Sequence, residues 1–259
     1  MSAPAADPPA GNGPRFAAKP LTGGGTPTPI WLNSGRRLPE LDLTKCPEIV
    51  VVAPHPDDET LGFGATSVTL AQLGVTVQVV SVSDGGAAHP DQSPLLSSRL
   101  ERTRRAELLR AIDTLGLPAP ICLGLPDGEL GDHEPRLTVL LTEILDSRPA
   151  GTWCAATWRG DGHPDHEAVG RAAAAAAERS DAVLVEYPVW MWHWARPDDP
   201  AVPWDRARAV SLSRAAVDRK QLAAQCYRSQ FDPNGRPGGP VLPPFVLQRL
   251  LAVGEVVFR

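Results

Sequence analysis

Between residues 48 and 186 the sequence alternates short apolar or β-branched runs with helical stretches, which restricts the chain to few folds. Residues 48–53, continuously apolar after Glu48, show the pattern of a strand buried on both faces. Residues 60–73 have helical character and stop at Gly74, a helix-ending glycine. Residues 75–83 read as a second strand, residues 97–115 as an amphipathic helix closed by Gly116, and residues 120–125 as a third strand. A helix over 135–146, a strand over 152–157, an alanine-rich helix over 165–178 and a strand over 182–186 continue the pattern. Residues 208–212 predict a sixth strand, and residues 215–230 a closing helix. Strand followed by helix, repeated in this way, predicts an open, mostly parallel α/β sheet with helices on both faces. In such sheets ligands bind beyond the carboxyl ends of the strands.

Two polar clusters stand at such ends. The first strand runs into Pro54-His55-Pro56-Asp57-Asp58-Glu59, and the fourth into Asp161-Gly162-His163-Pro164-Asp165-His166. The chain has six histidines, and three of them lie in these clusters. A carboxylate at a helix start also serves as an N-cap, but caps do not account for two such clusters at two strand ends. Two imidazoles and one carboxylate, His55, Asp58 and His166, form a zinc-type ligand set that leaves a position for water. Iron(II) or another divalent ion suits the same set. A bound ion lowers the pKa of its water towards ~7. Asp57, beside a ligand, is the candidate general base. His163 is the candidate to carry a proton or stabilise an oxyanion, with Asp165 fixing its ring.

The pair of motifs, PHPDDE after an apolar strand and HPDH at the start of an alanine-rich helix, resembles the PIG-L (LmbE-like) family. The resemblance extends over roughly residues 47–259. It implies a Rossmann-like three-layer sandwich, zinc on His55, Asp58 and His166, Asp57 as general base and His163 assisting the tetrahedral intermediate. It also implies the reaction, hydrolysis of the N-acetyl or other N-acyl group of an amino sugar. The sequence departs from the family pattern at Asp161, where some members carry tyrosine, and at Tyr227, where histidine is common. Two other readings compete: an inactive, metal-stabilised carbohydrate-binding relative, and an amidase acting on a non-sugar amide. Retention of Asp57 argues against the inactive relative.

Three further residues are candidates for binding substrate. Arg104 falls on the apolar stripe of its helix and needs a partner there. Asp84 and Asp127 follow the second and third strands, within reach of the cleft. Arg105 is expected to pair weakly with Glu101. His89 lies in a loop at the expected pocket edge, and His133 at a helix start without a role. Trp190, Trp192 and Trp194 alternate as in an extended strand, and would wall the cleft or form a packing surface.

The bulk properties exclude other classes. A net charge of −5 gives no electrostatic case for nucleic acid. No apolar stretch is long enough for a membrane helix, and no secretory leader pattern is present, so a cytoplasmic location is expected. The four scattered cysteines read as small buried hydrophobes. Residues 1–30, rich in proline and glycine, are expected to be a disordered tail ahead of a single domain over 31–259. The expected partner is a small N-acyl amino sugar, and a homo-oligomer is left open. A dinucleotide-binding reading fails, because the first strand ends in carboxylates rather than in a glycine-rich turn.

Overall fold

The computed structural model describes residues 11–87, 93–231 and 240–259. In chain order its elements are α1 (Gly13–Ala17), α2 (Thr28–Leu32), β1 (Glu48–Ala53), α3 (Asp58–Gln72), β2 (Thr76–Ser83), α4 (Pro94–Leu115), β3 (Ile121–Leu125), α5 (Glu134–Asp146) and β4 (Trp153–Thr157). They continue with α6 (Pro164–Arg179), β5 (Val183–Tyr187), α7 (Met191–Trp194), β6 (Ala207–Ala209), α8 (Arg214–Ala224), α9 (Arg228–Phe231), α10 (Pro244–Ala252) and β7 (Val256–Phe258).

The sheet order is β3-β2-β1-β4-β5-β7-β6. The first five strands are parallel; β7 pairs antiparallel with both β5 and β6. The side-chain period of two divides β1 between two cores. Ile49 and Val51 pack in one cluster with residues of α3, α4 and α8, whereas Val50 and Val52 pack in the other with residues of α5 and α6. This is the three-layer α/β sandwich, with each face of β1 covered by helices.

Strand order reverses between β1 and β4, because β2 and β3 build outward on one side of β1 and β4 and β5 on the other. A crevice at such a reversal is the standard ligand position in open parallel sheets. The register pairs Val52 with Ala156, so the two polar clusters leave adjacent strands at the same level. Gly170 lets α6 approach β4 closely: a Cβ there would lie 2.5 Å from the Thr157 carbonyl oxygen.

Four expectations are corrected. The sixth strand is shorter than expected and joins the sheet antiparallel through β7. The closing helix is broken into α8 and α9; after the break, Glu107 accepts hydrogen bonds from the Ser229 amide at 2.9 Å and hydroxyl at 2.6 Å. The Trp190–Trp194 stretch is a helical turn rather than a strand. The backbone amides of Val189, Trp190 and Met191 all donate to the Asp161 carboxylate at 2.9 Å, which curls the chain. Finally, of the expected tail over 1–30, residues 11–30 pack on the body, and residues 1–10 lie outside the described residues. Asn12 bonds Glu167 and the Gly160 carbonyl, and the buried Thr26 hydroxyl donates to the Ala195 carbonyl at 2.6 Å. Specific polar contacts of this kind supply what the low apolar content of the segment does not.

Candidate active site

A cavity of about 220 Å³ opens at the carboxyl ends of β1 and β4, and both polar clusters line it. Ligand atoms of His55, Asp58 and His166 all lie within 4.8 Å of one another. So do those of His55, His163 and Asp165. His55 comes from the loop after β1, Asp58 from the first turn of α3, and His166 from the first turn of α6.

The donor atoms have the arrangement a cation needs. His166 is fully buried, and its Nδ1 lies 2.8 Å from Asp161 Oδ2. With Nδ1–H donating to that carboxylate, Nε2 keeps a lone pair that either a proton or a cation can occupy. Nε2 is buried, lies 3.2 Å from Asp58 Oδ2 and has no hydrogen-bond partner. A buried nitrogen in that state is costly unless something else occupies its lone pair. His55 Nε2 faces Asp127 Oδ1 at 2.9 Å and Asp165 Oδ2 at 3.1 Å, so its Nδ1 remains beside Asp58, at 3.2 Å from Oδ2. Two imidazole lone pairs and a carboxylate converging on one point fit a divalent cation.

Asp57 has a backbone φ of 136°, outside the conformations ordinary for a side-chain-bearing residue. Its amide donates to Glu59 Oε2 at 3.0 Å. Glu59 Oε1 in turn accepts from the Thr60 hydroxyl and from the Tyr227 hydroxyl. Tyr227, 167 residues beyond Thr60, thus fixes the base of the loop. The Asp57 carboxylate has one contact among the described residues, Arg104 at 3.4 Å, so lone pairs remain for water.

The charges shift one another strongly. Burial pushes the Asp57 carboxyl up to about 8, with the Arg104 guanidinium drawing it down and the Asp58 charge adding to the rise. Burial opposes ionisation of Asp58 too, but the His166 and His55 rings hold it well below the usual carboxylate range. Burial acts against protonation of His166, yet the Asp58 and Asp161 carboxylates raise it to about 9. Burial and the neighbouring His166 and His55 lower His163 to about 3, so this ring is neutral.

These shifts carry a prediction for the metal-free protein. In an unfolded chain imidazoles titrate near ~6.5 and aspartates near ~3.9. Between pH 6.5 and 9 the folded state therefore holds more protons than the unfolded one, on His166 and on Asp57, and stability falls as pH rises. The carboxyls drawn down, Asp127 to about 2 among them, titrate below that window. Chelator-treated protein is expected to lose on the order of 5 °C in Tm across it. Zinc should restore stability most at the alkaline end, where it replaces the lost protons. A flat Tm profile in scanning calorimetry would contradict the arrangement.

The other sequence candidates divide. Asp127 lines the cavity, and its Oδ2 accepts from the Ala87 amide at 2.7 Å. Arg104 also lines it; its guanidinium donates to the carbonyls of Pro56 at 2.9 Å and Gly85 at 3.2 Å, so two of its five N–H groups brace the loop. Asp84 is not a cavity residue. Its carboxylate is bound by Arg105, which pairs there rather than with Glu101. Asp165 does not orient His163 with its carboxylate. That carboxylate accepts from the Gly128 amide at 2.9 Å and the Leu130 amide at 3.2 Å and faces His55. The Asp165 backbone amide instead donates to His163 Nδ1 at 3.3 Å. Trp190 lines the cavity, while Trp192 and Trp194 are core residues. His133 sits at the start of α5, and His89 lies outside the described residues.

The family model described as GlcNAc-PI de-N-acetylase, PIG-L, matches residues 50–177. A 1D-myo-inositol 2-acetamido-2-deoxy-alpha-D-glucopyranoside deacetylase of Mycobacterium sp. (strain JLS) is 35% identical over 239 residues, covering 73% of this chain and 77% of that protein. The chain belongs to the PIG-L family. Among solved structures, the conserved protein TT1542 of Thermus thermophilus is 28% identical with a TM-score of 0.54, over 78% of this chain and 84% of that one. The N,N'-diacetylchitobiose deacetylase of Pyrococcus horikoshii is 23% identical with a TM-score of 0.55, over 73% and 72%, and shares the fold. The PIG-L match contains both polar clusters and ends before β5, so the wall formed by Val189, Trp190 and α10 lies outside it. No described helix is long and apolar enough to cross a membrane.

The residue that sequence reasoning missed is Asp161. Its carboxylate accepts three backbone amides and His166 Nδ1. Its carbonyl also accepts from Trp194 Nε1 at 2.7 Å. The available signal was its place five residues before a candidate ligand, at the end of a strand.

Proposed function

We propose that this chain is a divalent-metal-dependent de-N-acylase that removes the N-acetyl or a related N-acyl group from an amino sugar. One observation carries the reading: an under-bonded, buried Asp57 carboxylate stands beside two imidazoles and a carboxylate that converge on one point in a cavity. The mycobacterial relative, a deacetylase of an acetamido sugar, supports it. His55 through Nδ1, Asp58, and His166 through Nε2 would hold the ion. Zinc is the first candidate, from the mixed nitrogen and oxygen donor set. When bound, such an ion acidifies water towards ~7 and polarises an amide carbonyl.

The protein groups then divide the proton work. Asp57, ionised once the charge of a bound cation lowers it from about 8, takes the proton of the attacking water as the amide carbon becomes tetrahedral. His163 accepts the Asp165 amide at Nδ1, so its Nε2 carries the proton and donates to the developing oxyanion. Asp57 returns its proton to the departing nitrogen as the C–N bond breaks. Asp165 cannot substitute as base, because its oxygens are engaged by two amides and His55. Asp161, Asp127 and Asp165 hold the two rings in the tautomers that keep the inward nitrogens free.

Elemental analysis of the purified protein tests the ligand set. Near-stoichiometric divalent metal is expected in the wild type, and its loss in both Asp58→Ala and His166→Ala. Amine release from 1D-myo-inositol 2-acetamido-2-deoxy-alpha-D-glucopyranoside and from N-acetylglucosamine tests the reaction. Wild-type protein that takes up no metal, even with added zinc, would overturn the mechanism.

A further inference from the structure

The cavity has two unlike walls. On the side of β2 and β3 it meets Arg104, Asp127 and Gly128, polar groups suited to hydroxyls. On the side of β5 it meets Leu61, Val189, Trp190, Leu242, Val246 and Leu250. Among the described residues, every lining residue from 240–252 is apolar; Gln230, whose carbonyl accepts from the Leu242 amide at 2.9 Å, is the polar group at the edge of this wall. The wall is well packed: Leu242 is 5% exposed, and Val246 and Leu250 are 3% exposed. Phe16 from α1 backs it, with its ring centroid 5.0 Å from that of Trp190. The candidate catalytic groups lie between the two walls.

An amide at this position directs its amine substituent to one wall and its acyl substituent to the other. A sugar on the apolar wall would bury hydroxyls without partners, which is costly. An acetyl group would cover only a small part of that wall. We infer that the apolar wall is an acyl subsite, and that the preferred substrates are amino sugars N-acylated by an apolar chain longer than acetyl. This rests on the de-N-acylase reading, with the sugar held on the side of Arg104 and Asp127.

The test uses the metal-loaded, full-length protein and two homologous series, the N-acylglucosamines and the free alkanoates, each from acetyl to octanoyl. Burying a methylene is expected to raise kcat/KM in the first series, and affinity in the second, by up to about fourfold per carbon until the wall is covered. Hexanoyl should exceed acetyl by at least about tenfold. Val246→Phe, which fills the subsite, should lower the hexanoyl-to-acetyl ratio. Val246→Ala, which enlarges it, should move the optimum towards octanoyl and keeps the test decisive if the phenylalanine variant does not fold. Alkanoate affinities that do not rise with length, or ratios that neither variant moves, would overturn the acyl subsite. Affinities that rise steeply while no amide is cleaved would support the subsite and overturn the de-N-acylase reading instead.

Discussion

Replacing Asp57 with asparagine is expected to lower kcat by about 10²- to 10⁴-fold, the usual cost of losing a positioned general base, while bound metal stays near wild type. Asparagine has the same shape and tolerates positive φ better than most residues, so the loop that begins at φ 136° should persist. The Glu59 and Tyr227 contacts that hold it do not involve the Asp57 side chain. What asparagine cannot do is accept a proton from water at neutral pH. Steady-state kinetics together with metal analysis of the same preparation decide the matter. A variant that retains metal and most of its kcat would remove Asp57 from the mechanism. A variant that loses metal as well would make Asp57 a ligand rather than a base.

The second large effect is expected at Asp161. Changing it to alanine removes the partner of His166 Nδ1 and leaves the amides of Val189, Trp190 and Met191 without their acceptor. Unsatisfied buried donors cost about 1–3 kcal/mol each. Such terms do not add fully, because α7 can relax, so a loss of about 3–5 kcal/mol is expected. Metal affinity should fall by about 10- to 100-fold, the typical cost of removing the carboxylate behind a ligating histidine. Asp161→Asn should weaken metal binding with a smaller loss of stability, since its amide oxygen still accepts backbone N–H groups. Thermal unfolding and metal titration of both variants separate the two roles. Unchanged metal affinity in both would show that Asp161 serves α7 alone.

Much of the site was legible because its residues are consecutive. His55, Asp57 and Asp58 follow one apolar run, and His163 and His166 begin one helix, so proximity within each cluster is covalent. Pairing between the clusters followed from the strand–helix alternation, which places both at strand carboxyl ends. The partners of the ring nitrogens were not legible. Asp165 reads as a helix-start carboxylate for its neighbour His163, yet it faces His55, 110 residues away. Asp161 and Asp84 each follow a strand and precede a glycine; one proves to be the pivot of the site and the other a surface partner of Arg105. Local pattern does not distinguish them, because the difference lies in which groups of distant elements reach each carboxylate.

The sequence by itself determined the succession of β1 to β5, the helices between them and the two polar clusters, since strand and helix periods and helix stops are properties of adjacent residues. Only the tertiary structure decided that β1 and β4 stand side by side, that Asp161 turns His166 inward and curls α7, and that residues 11–30 pack on the body. Each of these is a competition among hydrogen-bond acceptors and apolar surfaces far apart in the chain. Burial decides such competitions, because a polar group removed from water must take whichever partner the packing leaves within reach.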